Sequence, residues 1–176
     1  DVKAILAILL KEYFDTCWSV VGEALISEDW RAKDHLGRIL GTGYEKEAGE
    51  ALIADISQEG LMEWCKGNCP MGPAAIAYFT PVFSEDQKSL HPLARRLIDD
   101  FGNLDDVRGE LHSNLWSFMS EGSRAPYYER RMNVLKELTE HPKEEVREWA
   151  EANMKFFRKE KEEAARRTEE WEWGIF

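Results

Sequence analysis

Apolar residues along this chain recur at helical spacing, and no run alternates cleanly at the period of a strand. Val2, Ile5, Leu6, Leu9, Tyr13 and Phe14 share one side of a helix, and Ile8 and Leu10 widen that face. Residues 2–26 therefore predict one long helix or two abutting ones, apolar enough to need cover on most sides. Ser27 is placed as the N-cap of the next helix, with Glu28 and Asp29 in its first turn and Gly41-Thr42-Gly43 as its stop. A further helix is expected from about Glu45 toward Trp64, with Leu52, Ile53 and Ile56 inward and a break at Gly60. Residues Gly67–Pro73 hold two glycines and two prolines and read as a loop. A short helix follows with Pro73 in its first turn and Pro81 as its end. Ser84 to Gln87 then has the spacing of a capping box.

From Leu90 the pattern sharpens. Pro92 suits the first turn of a helix to Phe101. Asn103 is placed as the cap of a second helix, running to about Ser120 and stopping at Gly122. Pro126 opens a third to about Glu140, and Pro142 a fourth toward Glu170. The two helix pairs resemble each other. Val107-Arg108 recurs 39 residues later as Val146-Arg147, and at that offset Leu111, Asn114, Leu115 and Phe118 meet Ala150, Asn153, Met154 and Phe157. Leu97, Ile98 and Phe101 recur at an offset of 37 as Val134, Leu135 and Leu138. A period near forty with two helices per unit is the size of HEAT and armadillo repeats. The stretch from His141 to Ala150 resembles the second-helix opening of HEAT repeats: a helix-starting Pro142, then Val146-Arg147, then a small residue three further on. Leu104 to Arg108 is a weaker copy without the proline.

The expected fold is all-α, a superhelix of stacked helix pairs of HEAT or armadillo type in one continuous domain. Residues 1–89 form an irregular helical N-terminal part, 90–170 two HEAT-like pairs, and 171–176 an apolar tail that docks in cis or in trans. Leu90 to Ala94, Gly122-Ser123, Tyr128 to Arg130, Leu135 and the Val146 to Ala150 block ending in a charged helix also resemble the C-terminal helical regions of large bacterial proteins, among them STAND-type NTPases of antiphage defence. That resemblance implies a sensor or docking surface rather than a catalytic part. No Gly-x-x-x-x-Gly-Lys-Ser/Thr phosphate loop occurs in the chain.

Charge narrows the partners. The 34 acidic residues outnumber 23 Lys and Arg, for a formal net charge of −11 that repels phosphate backbones and anionic lipid. Nucleic acid and membrane are thus disfavoured, and a protein, or the remainder of a longer chain, is the expected partner. Three cysteines, too few and odd for a disulfide framework, fit a reducing cytoplasm. No signal peptide is visible, and the longest apolar run, Ala4 to Leu10, is too short to cross a bilayer. A start at Asp1 that leads straight into an apolar helix suggests a fragment of a larger bacterial protein, although a cleaved natural N-terminus would read alike.

Candidate chemistry is sparse. Cys65 and Cys69 have zinc-knuckle spacing, but no second Cys/His pair completes four ligands, so two ordinary thiols are the favoured reading. Asp99-Asp100 and Asp105-Asp106 read as capping and solvation rather than a cation site. No nucleophile motif appears. No catalytic residue, cofactor or metal is therefore assigned. Arg108 and Arg147 are expected to form a ladder, each pairing with an acidic residue or a turn carbonyl between units. Asn114 and Asn153 lie on the apolar face and need partners, most simply backbone carbonyls. Arg124 and Tyr127, at the joint between the two pairs, are the expected binding surface. The function that follows is a non-catalytic interaction or sensor module. The alternatives are a structural segment of a multidomain NTPase or other enzyme, and a metal protein using Cys65 and Cys69.

Overall fold

A computed structural model describes residues 2–41, 52–116 and 123–172. It is all-helical: the described residues contain nine α-helices and no strand beyond one isolated bridge, Phe83 to Leu90. The helices are α1 (Val2–Glu12), α2 (Phe14–Ile26), α3 (Trp30–Leu40), α4 (Gln58–Gly67), α5 (Met71–Phe79), α6 (Pro92–Phe101), α7 (Asp105–Asn114), α8 (Ala125–Leu135) and α9 (Glu144–Glu172). Short 3-10 turns occupy Leu52–Asp55 and Lys136–Glu140.

Local chemistry fixes most boundaries. The first apolar stretch divides at Tyr13 into α1 and α2. Asp29, not Ser27, caps α3: its carboxylate accepts from the Arg31 and Ala32 N–H groups, while Ser27 receives the Asp29 N–H one turn earlier. The charged acceptor wins because it sits at the last extended residue, facing the orphan amides. Gly41 closes α3 at φ 111°, a left-handed turn that favours glycine. The expected helix from Glu45 begins in residues outside those described. Its later part is the 3-10 turn at Leu52 and then α4, which Ser57 caps and which runs through Gly60 unbroken. Leu52, Ile53 and Ile56 are buried as the pattern required.

The proline-rich joint shrinks to Asn68–Pro70, and Pro73 sits inside the first turn of α5. Ser84 and Asp86 do not start a helix. The Ser84 hydroxyl donates to Asp86 and, with Ser89, closes a compact turn in which Gln87 adopts φ 59°. Pro92 opens α6 as expected, with His91 accepting the Leu93 N–H. The residue at the head of α7 is Leu104, without a side-chain cap, rather than Asn103.

Consecutive helices pack as neighbours, α4 on α5, α6 on α7 and α8 on α9. Longer-range contacts join α2 to α5, α4 to α6, α5 to α7 and α7 to α9. One buried apolar cluster runs through all of these, from Leu10 and Trp18 through Leu61, Ile76 and Leu97 to Leu111, Leu135 and Phe157. No described helix is long and apolar enough to cross a membrane.

Candidate functional site

Helix α5 carries no charged residue, Met71 to Phe79 being apolar on every side apart from the Tyr78 hydroxyl. A helix of that kind is normally covered all round. Here Gly72, Pro73, Ile76, Ala77 and Phe79 are buried, but the stripe Met71, Ala74, Ala75 and Tyr78 floors an open groove of 480 Å³. The C-terminal end of α2, through Leu25 and Ile26, completes the floor. One wall is α3, where Trp30, Lys33 and Asp34 continue the face that Gly37 and Leu40 bury further along. The other wall is α7, through Asp106 and Glu110. The volume lies in the roughly 300–1,000 Å³ range of ligand clefts. Trp30 is 69% exposed, Met71 59% and Tyr78 51%, so three large apolar side chains meet water around one hollow.

The two walls differ electrostatically. On α3, Asp34 pairs with Arg38 at 3.0 Å and Lys33 stands beside it. On α7, Asp106 and Glu110 are like charges one turn apart, with no cation paired to either among the described residues. Partial burial, and then the Asp106 charge, raise the Glu110 pKa. Glu110 therefore supports folding at acidic pH and loses that support as pH rises through its folded-state value. Glu110→Gln is expected to raise stability at pH 7 by about 0.2–0.5 kcal/mol, the size of a relieved i,i+4 repulsion. In melting curves the gain should fade as pH falls through the carboxylate range. A variant less stable than the parent at pH 7 would mean that Glu110 has a partner.

Asn114 ties the groove floor to its α7 wall. Its side-chain amide donates to the carbonyls of Ala77, Tyr78 and Thr80, at 2.9, 3.1 and 3.0 Å, and so caps the C-terminus of α5. Removing it strands partly buried carbonyls, so Asn114→Ala should destabilise by about 1–3 kcal/mol in chemical denaturation. An unchanged unfolding midpoint would show that water replaces the amide. Asn114 is half-buried, whereas Asn153 is buried. The Asn153 amide oxygen accepts from His112 Nδ1 at 2.7 Å, and its amide NH2 donates to Trp149 O.

The recurring arginines hold matching places. Arg108 donates to Gly102 O at 2.7 Å and Arg147 to His141 O at 2.7 Å, each reaching six residues back to the turn before its own helix. Arg108 also meets Asp105. Each guanidinium thus fastens a helix to the turn that precedes it within its own helix pair, rather than bridging units as expected, because that turn's carbonyls are within reach six residues back. The Trp149 indole donates to Arg108 O at 3.1 Å and joins α9 to α7.

The other candidate residues fall elsewhere. Arg124 is exposed at the head of α8, and Tyr127 is half-buried under the Arg130 guanidinium, 4.6 Å from its ring centroid. Neither lines the groove. Cys65 is buried in α4 and Cys69 exposed in the joint after it. Burial, with repulsion from Cys69 and Asp100, pushes the Cys65 thiol up to about 12, which keeps it protonated at neutral pH and a poor nucleophile or ligand. No cluster of three or more His, Cys, Asp or Glu disposed for a metal occurs among the described residues. The acidic pairs are dispersed: Asp99 meets Arg95 and His141, Asp105 meets Arg108, and Asp106 faces the groove. A second, wide-open dish at Ser84, Glu85 and Asp86 has its polar groups engaged within the turn, where the Ser84 hydroxyl and then the Lys88 N–H lower the Asp86 pKa.

Sequence reasoning passed over Trp30, Met71 and Tyr78. The sequence shows a tryptophan on an otherwise polar helix and a helix without a polar side, but not that packing leaves them open. Comparison of the chain with protein-family models, curated proteins and solved structures returns no match.

Proposed function

We propose that this chain is a non-catalytic helical recognition module, its helix pairs stacked in the HEAT manner, that binds a protein partner through the groove between α3, α5 and α7. The observation that carries this reading is the apolar stripe of α5, exposed at Met71 and Tyr78 and half-buried at Ala74 and Ala75, lining one open hollow with the exposed Trp30. Leaving such side chains in water costs solubility, and on a folded surface they mark a contact for something else. The stacking is supported by the contacts of α5 with α7 and of α4 with α6, one unit's helices lying on the next unit's equivalents. The raised pKa of the buried Cys65 thiol makes that residue a poor nucleophile.

A second reading is favoured by one further feature. Val2, Ile5, Ile8 and Leu9 of α1, with Tyr13 and Val20, are exposed large hydrophobics on the opening helices. That face suits a structural segment seated against other parts of a longer polypeptide, in bacterial defence proteins or elsewhere.

The test is a pulldown from host lysate with three baits: the parent, Trp30→Ala/Tyr78→Ala, and Arg124→Ala/Tyr127→Ala. The groove reading expects a partner retained by the parent and the Arg124/Tyr127 variant and lost by the Trp30/Tyr78 variant. Loss only with Arg124 and Tyr127 would move the surface to the α8 joint. Equal capture by all three would point to the α1 face.

A further inference from the structure

Resting on that recognition reading, we infer that the groove takes a peptide segment with one large apolar side chain on the α5 floor and a lysine or arginine against the α7 wall. The floor of Leu25, Met71, Ala74, Ala75 and Tyr78 offers no polar side chain except one phenol, so only an apolar anchor fills it without stranding a polar group. The position of the cation follows from the asymmetry of the walls. On α3, Asp34 is paired with Arg38 and Lys33 adds a cation, so that wall carries no unmet negative charge. Trp30 also has the Arg31 guanidinium 5.7 Å from its ring centroid. On α7, Asp106 and Glu110 repel each other and have no cationic partner among the described residues. A guanidinium or ammonium between them removes that repulsion and gains charge-assisted hydrogen bonds to exposed Asp106 and half-buried Glu110. Partial burial first, and then the Asp106 charge, raise the proton affinity of Glu110.

The charge pattern also selects against other occupants. A second copy of this chain carries a net charge of −11, and its apolar C-terminal segment is flanked by Glu169, Glu170 and Glu172. Those acids would face the α7 carboxylates. Polynucleotides are repelled in the same way.

The experiment is selection of a random phage-displayed peptide library on the intact chain. Enriched sequences are then remade as fluorescein-labelled peptides, read by polarisation at low and high salt. The proteins compared are the parent, Asp106→Asn/Glu110→Gln and Tyr78→Ala. Enriched peptides are expected to pair Lys or Arg with Leu, Ile, Phe or Met. Neutralising the two carboxylates is expected to weaken binding about tenfold at low salt, the effect of losing one charge-assisted contact, and to flatten the salt dependence. Because that double variant relieves a repulsion, its melting temperature should equal or exceed the parent's, which separates lost binding from lost folding. Neutral or acidic peptides that still need Tyr78, or unchanged binding by the carboxylate variant, would overturn the cation assignment and leave the recognition reading standing. Peptides indifferent to all these substitutions, or no enrichment, would overturn both. Competition by spermidine at the peptide's own concentration would assign the site to free polyamines and overturn the peptide.

Discussion

Arg131→Ala is expected to destabilise the fold by about 3–5 kcal/mol, the sum of a large side-chain cavity and stranded acceptors. Arg131 is 1% exposed and is among the bulkiest fully buried side chains. Its guanidinium donates to Leu115 O at the end of α7 and to the Gln87 side chain at 3.2 Å, and it lies 4.8 Å from the Phe83 ring centroid. One side chain of α8 thereby joins α7 and the 84–89 turn. Burial, and then Arg130, lower its pKa to about 10 against the opposing pull of Tyr128, and the group stays charged at neutral pH. Two further variants separate volume from hydrogen bonding. Arg131→Met keeps most of the volume and should recover about half of the loss. Arg131→Lys should recover less, because an ammonium cannot stack on Phe83 and serve two separated acceptors from one plane. Urea unfolding of the three variants orders them. An alanine variant within about 1 kcal/mol of the parent would mean that the site collapses and its acceptors find other donors.

What the sequence made legible was local. Pro92 and Pro126 mark helix starts because their fixed φ and missing N–H suit only a first turn. The repeated Arg108 and Arg147 serve the same purpose in both copies because the same turn geometry recurs six residues before each. Ser27, Ser84 and Asn103 were plausible caps by type. Which polar residue caps depends on where the chain leaves the extended conformation, and a one- or two-residue shift hands the amides to Asp29 or leaves Leu104 without a cap. Asn114 was legible as a residue in need of partners, but not the α5 terminus that supplies them, 37 positions upstream.

The groove was illegible for a different reason. Its walls come from residues 30–34 and 106–110 and its floor from 71–79, and no sequence spacing relates the three. An exposed Trp30 is indistinguishable in sequence from a buried one. A charge-free α5 reads as core until a neighbour is seen to be missing from one side. Within the described residues, the surface that packing leaves open is the part of the molecule least constrained by periodicity.

The second large effect is expected at Trp18, where alanine should cost about 3–5 kcal/mol and phenylalanine about 1 kcal/mol or less. Trp18 is 1% exposed, stacked on Phe14 at 5.6 Å and edge-on to Trp64 at 5.7 Å, and so locks α2 onto α4. The approach is tight. A Cβ placed on Gly22, one turn beyond Trp18, would lie 2.6 Å from Trp64 Nε1, so the tryptophan pair leaves no room for even a methyl there. Yet the Trp18 indole N–H has no hydrogen-bond partner among the described residues. An unmet buried donor costs about 1–3 kcal/mol, and phenylalanine removes it while keeping most of the stacked surface. The two terms nearly cancel in Trp18→Phe, whereas Trp18→Ala loses the packing and leaves a void. Thermal and urea unfolding check the order. A phenylalanine variant as damaged as alanine would mean that the N–H is satisfied in solution. Because α2 ends in Leu25 and Ile26, which floor the groove, peptide binding should fall with Trp18→Ala and survive Trp18→Phe. The proposed peptide groove would then depend on a packing contact two turns away from it.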